Sequence, residues 1–353
     1  MKRTKNNHFI IYFLLSFLAL GFVFILSISL GQVKINFTDV ISLISNKIFN
    51  SNFSISNMAN EDMYKSIIFD IRIKRALLSI LVGMGLSLCG VIMQATLKNP
   101  LADPYILGIS SGASLGATFA IMISSITVIT VNSLGISFFA FAGAFIAGYL
   151  VLLMASHKGK LSTVKLILAG TIINSIATSL SNLLIYISGN SEKIKDITFW
   201  TMGSLAKANK ENLILISVLL FFAAIFFITQ HRNLNAMLMD EEVTQTLGVN
   251  INVYRKVYIF ICILLIGVIV SSSGIIGFVG LTVPHIVRAL VGSDHKKLVP
   301  LSMLFGGIFL SLSDILSRIL INNTELPIGI ITALIGGPVF IYILLKRGNR
   351  FGG

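Results

Sequence analysis

Long hydrophobic runs recur along almost the whole chain, and no other feature constrains its fold as strongly. An α-helix needs about 20 apolar residues to cross the hydrocarbon core of a bilayer. A spanning segment must also satisfy its backbone hydrogen bonds internally, which favours helices. The sequence therefore predicts an all-α polytopic membrane protein of about ten transmembrane helices. The runs lie at residues 9–30, 73–96, 105–124, 135–155, 163–187, 211–229, 256–273, 276–291, 300–320 and 327–345.

The composition agrees with this fold class and excludes others. Of the 353 residues, 55% are hydrophobic and only 12% are charged. Soluble domains carry about twice that charged fraction, so an ordinary water-soluble enzyme is excluded, and so is a disordered chain. The spans use about 200 positions, which leaves no room for a separate soluble domain. We expect a single transmembrane domain over residues 1–353.

The charge pattern predicts the orientation of the helices. A net charge of +13 is assigned to cytoplasmic loops and not to a nucleic-acid-binding surface, because basic residues are retained on the cytoplasmic side. The first run is too long for the apolar core of a cleavable signal peptide, so it is expected to be a membrane helix. Both termini are then cytoplasmic. Residues 31–71 become an extracytoplasmic segment, and residues 231–254 become a cytoplasmic one.

Motifs for catalysis and metal binding are missing from the sequence. There is no P-loop, and the five histidines have no metal-ligand spacing. We expect no catalytic residue, metal site or cofactor in this chain. Ion-coupled transporters usually keep carboxylates in the middle of the membrane. The candidates here, Asp314 and Glu325, lie toward the outer ends of their spans, so transport driven by another subunit is favoured over a secondary transporter acting alone.

The fifth run carries a stripe of polar side chains at steps of three and four residues. In lipid, such a stripe must face another helix or water. Hydrogen bonding between helices and the lining of a transport pathway are both consistent with it. The stripe consists of Thr171, Asn174, Ser175, Thr178, Ser181 and Asn182.

The cytoplasmic segment 231–254 has apolar residues at helical spacing. It predicts a short amphipathic helix that lies along the membrane or against a partner. Three consecutive acids, Asp240, Glu241 and Glu242, run against the basic trend of the cytoplasmic side. From the residues alone, a solvated amphipathic loop is the simpler interpretation.

Three long motifs follow one another in the chain and carry a family resemblance. They read RIKRALLSILVGMGLSLCGVIMQATLKNPLADPYILGISSGASLGA (72–117), GIIGFVGLTVPHIVRALVGSDHKKLVP (274–300) and SDILSRILINNTELPIGIITALIGGPVFIYILLKR (313–347). With LNAMLMDEEVTQTLGV between the first two, the sequence resembles the permeases of ABC importers for ferric siderophores, haem and cobalamin (the FecCD family). It departs from the family pattern at Lys74, where proline is common, and in a longer outer segment.

The resemblance implies a permease that dimerises around a central pathway, with a second copy or a sister permease. Two ABC ATPase subunits, which bind ATP and magnesium, would drive it from the cytoplasm. An extracytoplasmic substrate-binding protein would deliver the ligand. The chain is then a pathway-forming subunit of the cell membrane and not an enzyme. A ferric siderophore is the expected cargo, with haem or cobalamin as alternatives.

The resemblance also implies roles for residues at the outer end. Arg72, Arg75 and Arg318 match arginines with which family members meet glutamates of the binding protein. Arginine suits this role because its planar fork pairs with a carboxylate through two hydrogen bonds. The alternative is that these arginines anchor the chain at the membrane interface, with Arg318 paired to Asp314 one helical turn earlier.

Further implied sites lie in the membrane and on the inner side. The resemblance favours pathway lining for Thr171, Asn174, Thr178 and Asn182. It places a cytoplasmic gate at Asn99, Leu101, Ser162 and Thr163, although a simple turn also accounts for Asn99 and Pro100. Residues 235–249 match coupling helices that seat in a groove of the ATPase. The coupling residues are expected to be Asn235, Met239, Asp240, Glu241, Glu242, Leu247 and Gly248.

Overall fold

The computed structural model describes residues 2–33, 35–49, 61–126, 133–156, 161–239, 250–321 and 323–347. This part of the chain is almost entirely helical and contains no strand. Its helices are α1 (Lys2–Ser29), α2 (Phe37–Phe49), α3 (Glu61–Ser66), α4 (Ile73–Thr96), α5 (Ile109–Ile126), α6 (Ser133–Ala155), α7 (Thr163–Ser188), α8 (Ser191–Thr201), α9 (Lys210–Thr229), α10 (His231–Met237), α11 (Ile251–Ser273), α12 (Val279–Val291), α13 (His295–Ile319) and α14 (Ile328–Arg347). A π-helical turn, Ile67–Arg72, joins α3 to α4, and a 3-10 helix, Pro104–Leu107, precedes α5.

Each predicted span coincides with one helix. Within the described residues, seven helical segments are long and apolar enough to cross a membrane, and α5, α12 and α14 are shorter apolar helices. The prediction of an all-α polytopic membrane protein is confirmed. The eighth predicted span is a helix of only 13 residues, about 20 Å long. Non-helical backbone at 274–278 precedes it.

The helix ends follow local sequence signals. Side-chain oxygens of Asn190, Asn209 and Asp294 accept hydrogen bonds from backbone N–H groups in the first turns of α8, α9 and α13. Such caps satisfy donors that have no partner inside the helix. At the other end, α7 stops at Gly189 with φ 57°, a left-handed conformation that residues with a Cβ rarely adopt.

The centre of the bundle is α4. It packs against α9, α11, α12 and α13, while α5 packs against α6 and α7. Buried side chains of α4, α11 and α13 contribute to one large apolar core. A second, smaller cluster lies in the predicted outer segment, where Val40 and Leu43 of α2 pack against Ile28, Ile68 and Ala76. The amphipathic helix α2 therefore covers the outer ends of α1 and α4.

Candidate functional site

Two of the predicted docking arginines share one buried carboxylate. Arg75 of α4 donates from Nε to Asp314 Oδ1 at 2.8 Å and from Nη1 to Glu325 Oε2 at 2.7 Å. Arg318 of α13 forms an ion pair with the other Asp314 oxygen at 3.1 Å. The Asp314 side chain is fully buried, whereas 37% of the Glu325 side chain is exposed. The shared carboxylate compensates the charge of two guanidinium groups that have been removed from water.

Arg72 and Arg318 also bind the end of α1. Arg72 Nη1 donates to the carbonyl oxygens of Ile28 at 2.9 Å and Ser29 at 2.8 Å, and its Nη2 donates to Val33. Arg318 Nη1 donates at 3.0 Å to each of two further carbonyls of the same region. The last carbonyls of a helix lack helical partners and form the negative end of its dipole. Two arginines from other helices supply the missing donors.

The structure thus brings Arg72, Arg75 and Arg318 together at one end of the bundle. Each of the three is only 4–5% exposed and has its partners inside the chain. The pairing of Arg318 with Asp314, on which the anchoring interpretation depended, is present. Docking of a partner on these arginines stays a prediction. It requires an exchange of carboxylates, and the exposed Glu325 is the accessible one.

At the opposite end, Asn235 links α10 to the start of α13. Its Nδ2 donates to Asp294 Oδ1 at 2.9 Å. Its Oδ1 accepts from the backbone N–H of His295 at 2.9 Å and lies 2.7 Å from the ring Nδ1 of His295. Because an amide oxygen only accepts, Nδ1 is the ring nitrogen that carries the proton. The side-chain nitrogen and oxygen of Asn235 are therefore both used in binding Asp294 and His295.

A second contact ties the same segment to α4. Lys98, which follows α4 with φ 51°, donates from Nζ to the Met239 carbonyl at 2.5 Å. Leu234 and Met237 of α10 are fully buried, as their helical spacing predicts. The other coupling residues lie outside the described part of the chain: Asp240, Glu241, Glu242, Leu247 and Gly248.

The carboxyl of Asp294 lies just outside the membrane-spanning part of α13. Partial burial opposes its ionisation, but hydrogen bonds from Asn235 and the Lys296 N–H favour it. The charges of Lys297 and His231 act in the same direction, so the pKa of Asp294 falls below its ordinary value. Asp294 is therefore a charged helix cap at neutral pH, and its charge suits the N-terminal end of the α13 dipole.

Most of the polar stripe of α7 faces away from the rest of this chain. Its predicted pathway residues, Thr171, Asn174, Thr178 and Asn182, are all exposed. In the described part of the chain, none of these four side chains forms a hydrogen bond to another helix, and Thr171 donates to Leu168 O of α7 itself at 2.8 Å. The buried face of α7 is formed by Leu166, Ala169, Gly170, Ala177 and Ser181, so Ser181 is the one residue of the six in the polar stripe that packs inside the chain.

The predicted gate residues have local roles in the structure. The side-chain oxygen of Asn99 accepts from the Leu101 N–H at 2.9 Å, which forms the simple turn of the alternative interpretation. The Ser162 hydroxyl accepts from the Lys165 N–H at 3.5 Å and caps α7, whose first residue is Thr163. These contacts leave the gate a prediction.

Sequence reasoning missed the partners of the coupling segment. Asp294 stands just before an apolar run, which is a recognisable helix-start signal. Nothing local to the sequence connects it with Asn235, which lies 59 positions away. Among the described residues, no group of three His, Cys, Asp or Glu side chains could hold a metal ion.

Comparison with known proteins agrees with this architecture. The model of the FecCD transport family matches residues 19–346. The chain is 39% identical to the uncharacterized ABC transporter permease protein YvrB of Bacillus subtilis (strain 168), over 99% of this chain and 97% of YvrB. It is 35% identical to the hemin transport system permease protein HmuU of Yersinia pestis, over 84% and 88% of the two chains. It is 36% identical to the molybdate import system permease protein MolB of Haemophilus influenzae, over 82% and 84%.

The fold also matches a solved structure. That structure is a metal-chelate type ABC transporter in an inward-facing conformation. The two chains superpose with a TM-score of 0.79 at 32% identity, over 96% of this chain and 99% of the other.

Proposed function

Because this chain belongs to the FecCD transport family, we propose that it imports a chelated metal complex, with a ferric siderophore as the first candidate. The family consists of pathway-forming permeases of ABC importers in the cell membrane, not of enzymes. A separate ATPase hydrolyses ATP, and a substrate-binding protein delivers the cargo. This membership replaces the alternative of a secondary transporter acting alone. Hemin is the second candidate because the relative HmuU is a hemin permease.

The exposed polar stripe of α7 supports this cargo class. Between Lys165 and the end of α7 at Ser188 there is no charged residue. Hydroxyl and amide groups can contact the polar surface of a chelate, whereas a bare metal cation requires carboxylate, imidazole or thiolate ligands. A polar stripe is also costly in contact with lipid. We infer that a second permease subunit, either a copy or a sister chain, faces α7 across a water-filled pathway.

Cysteine labelling tests the pathway. Cysteines at Asn174 and Thr178 should react with a small hydrophilic thiol reagent in the assembled transporter, while a cysteine at Ile176 on the apolar face should stay protected by lipid. Ala177→Cys, on the buried face, is the control for a packed position. The native Cys89 and Cys262 are both buried and are replaced by alanine beforehand. Protection of the stripe in every nucleotide state would contradict the pathway.

Uptake measurements test the cargo. The permease is reconstituted in liposomes with its ATPase and binding protein, and uptake is compared for ferric siderophores, hemin, cobalamin and molybdate. Transport of a ferric siderophore in preference to the others is expected. Selective transport of hemin or cobalamin would support a chelated metal complex as the cargo but exclude a ferric siderophore as the preferred one. Selective transport of molybdate would overturn the proposal of a chelated complex.

We propose that the binding protein docks at the outer end through an exchange of carboxylates. A partner glutamate would replace Glu325 on Arg75, since Glu325 is the exposed member of the cluster. Arg72 and Arg318 would then contribute positive potential beside it. The variant Glu325→Gln should bind the binding protein more tightly, and the gain should shrink at high salt because exposed charges are screened. Glu192→Gln, at the exposed start of α8, is the control of equal charge change, and an equal effect in both variants would contradict docking at Arg75.

We propose that residues 235–249 couple the permease to the ATPase. Asn235 and Met239 hold the described start of this segment against α13 and α4. Proline at Val243 would remove a backbone donor and break a helix there. The expected result is a permease that inserts normally but neither retains the ATPase nor stimulates it. Normal ATPase copurification and transport would exclude this segment as the coupling element.

We propose a cytoplasmic gate at the inner ends of the helices, formed by Asn99, Leu101, Ser162 and Thr163. The turn and the helix cap at these residues hold the two loops in fixed local conformations. Replacing Leu101 by serine should therefore raise passive leak of the cargo in the absence of ATP without unfolding the turn. An unchanged leak would remove Leu101 from the gate.

A further inference from the structure

We infer that α4 and α13 move as one unit during transport, and that Asn235 is the positioning residue through which the cytoplasmic segment moves that unit. The inference rests on the coupling role proposed for residues 235–249. It adds the path by which movement of this segment reaches the outer end of the bundle. The α4–α13 unit is defined as Ile73–Thr96 together with His295–Ile319.

The backbones of the two helices are in direct contact. A Cβ added to Gly83 of α4 would overlap the carbonyl of Gly306 and lie 2.9 Å from the Cβ of Leu310 on α13. A Cβ added to Gly306 would lie 2.6 Å from the Cβ of Ser87. Helices that approach this closely cannot slide along or rotate against each other without a steric clash, because packed interiors are not continuously deformable.

Buried hydrogen bonds hold the same two helices in register. The hydroxyls of Ser79 and Ser311 lie 2.8 Å apart, and Ser87 Oγ donates to the Ser302 carbonyl at 2.8 Å. All four serines are fully buried. A shift of one helix against the other would break both hydrogen bonds in an apolar interior, which is costly. The pair is thus fixed in the middle of the membrane by shape and by polar contacts.

The outer end of this unit carries the arginine cluster. Arg75 at the start of α4 binds Asp314 near the end of α13, and Arg318 binds both Asp314 and the end of α1. The ion pairs therefore join the two helices once more at this end. Whatever binds or releases the cluster acts on α4 and α13 together.

The inner end of the unit carries both described contacts to the coupling segment. Asn235 binds Asp294 and His295 at the start of α13. Lys98, two residues after the end of α4, binds the Met239 carbonyl. Since His295 is buried while Lys98 is exposed, the Asn235 contact is the more shielded of the two. A displacement of α10 by the ATPase reaches the inner ends of both helices at once.

The unit then connects the two faces of the membrane. A helix of 25 residues is about 37 Å long, enough to run from the coupling segment to the arginine cluster. Coupling between distant sites needs an element whose position both sites bias, and the α4–α13 unit satisfies that requirement. The polar stripe of α7 lies outside it. Because α7 packs mainly on α5 and α6, the unit can shift against α7, while α12, which meets Gly90 of α4 at the Gly280 carbonyl, shifts with it.

The variant Asn235→Ala tests the link. Asn233→Ala is the matched control. Asn233 lies on the same helix, but its side chain donates to Gln230 Oε1 at 2.6 Å, just before that helix, and not to α13. In proteoliposomes with ATPase and binding protein, Asn235→Ala should reduce transport about tenfold, since the buried His295 loses the acceptor of its backbone N–H and its ring Nδ1. ATP hydrolysis should persist, so more ATP is consumed per transported ligand. The control should transport within about twofold of the parent.

Separate outcomes decide the inference and the proposed function. A merely structural role of Asn235 would lower the yield of assembled complex and its thermal stability, and hydrolysis and transport would fall in parallel; that result overturns the inference. Normal transport by Asn235→Ala in a complex that retains its ATPase would also overturn it and leave the coupling segment intact. Failure of the proline variant at Val243 to disturb the ATPase would instead contradict the proposed coupling segment.

A cross-link tests whether α4 and α13 move as one. In a chain without Cys89 and Cys262, Ser79→Cys and Ser311→Cys would place two sulfurs where the hydroxyls are now 2.8 Å apart, close enough to oxidise to a disulfide. The oxidised protein should transport at the rate of its own reduced form. Loss of transport on oxidation that reverses with a reductant would show that the two helices move against each other, and would overturn the inference.

Discussion

The helices α4 and α7 are similar in length and opposite in how this chain treats them. In α4, 18 of 24 residues are buried, whereas in α7 only 5 of 26 are. The surroundings within the chain account for almost every side chain of α4. They account for one face of α7 and leave its polar stripe and an apolar face exposed. One subunit therefore accounts for the surroundings of α4, whereas the exposed faces of α7 are left to lipid and, under the proposed function, to a second subunit.

Close approaches of the backbone are more numerous in α4 than in α7. A Cβ on Gly83 or Gly90 of α4 would overlap carbonyl groups of α13 or α12. In α7 the comparable position is Gly170, where a Cβ would overlap the Ile106 carbonyl within the 3-10 helix. Dense packing fixes a helix relative to its neighbours, whereas sparse contacts permit displacement at low cost. The helix α4 can therefore move only together with the helices packed on it, whereas α7 is held mainly by α5, α6 and the 3-10 helix.

The largest effect is expected from Asp314, the buried carboxylate that joins α13 to α4. Asp314→Asn would leave the buried Arg318 without a carboxylate and Arg75 with Glu325 as its remaining one. Removing one partner of a buried ion pair costs about 3–5 kcal/mol because the remaining charge is uncompensated. We expect a large fall in the thermal unfolding midpoint of the detergent-purified permease, or no folded protein at all. The measurement is thermal unfolding followed by size-exclusion chromatography.

Asp70→Asn is the control for that variant. Asp70 pairs with Lys74 at 3.4 Å on the protein surface, where its side chain is 66% exposed. Exposed pairs contribute about 0–1 kcal/mol, so little change is expected. If both aspartate variants unfold at the parental temperature, the arginine cluster does not stabilise the α4–α13 unit. Charge pairing would then not contribute to the difference between α4 and α7.

A smaller effect is expected where α4 meets α13. Gly83→Ala would place a methyl group against the Gly306 carbonyl and the Leu310 side chain. Overpacking of a tight interface typically costs about 1–3 kcal/mol. Gly21→Ala in α1 is the control, because nothing lies within 4 Å of its added Cβ. There the substitution should be neutral or stabilise the helix by up to about 1 kcal/mol. Equal unfolding midpoints for the two variants would contradict the tight packing.

The helices were predictable from the sequence because long apolar runs have few other stable forms in a membrane. The caps at Asn190 and Asn209 and the end at Gly189 follow local rules of the same kind. The amphipathic helices α2 and α8 were not predicted, since both lie in polar stretches where tertiary contacts decide the structure. The contacts of the site were harder still to predict from the sequence, because Arg75 and Asp314 are 239 positions apart. Residue spacing placed the three arginines at one end of the bundle but could not reveal their partners.

A substitution in the exposed stripe of α7 should lower transport without lowering the stability of the protein. Asn174→Ala removes an exposed side chain, and such substitutions usually change stability by less than about 0.5 kcal/mol. If the stripe lines the pathway, uptake of the cargo should nevertheless fall by a measurable factor, because the route loses a polar contact. Thermal unfolding and liposome uptake are measured on the same preparation. A destabilised variant would indicate that the stripe packs against another helix and would remove the contrast between α4 and α7.

The smallest effect is expected at the inner end of α13, where Asp294 caps the helix. The pKa of its carboxyl is lowered from the ordinary value of 3.8, so the ionised form is favoured by the folded state. A group of this kind stabilises the protein above its unfolded pKa, and the contribution is lost as the pH falls through the lower, folded pKa. Because Asp294 is exposed, screening should limit the loss to less than about 1 kcal/mol. Asp294→Asn keeps a good cap but cannot ionise, so its unfolding midpoint should fall less than that of the parent between about pH 6 and pH 3. Identical pH profiles for the variant and the parent would show that the charge of Asp294 contributes nothing, and that the hydrogen bonds from Asn235 and the Lys296 N–H suffice at the inner end of α13.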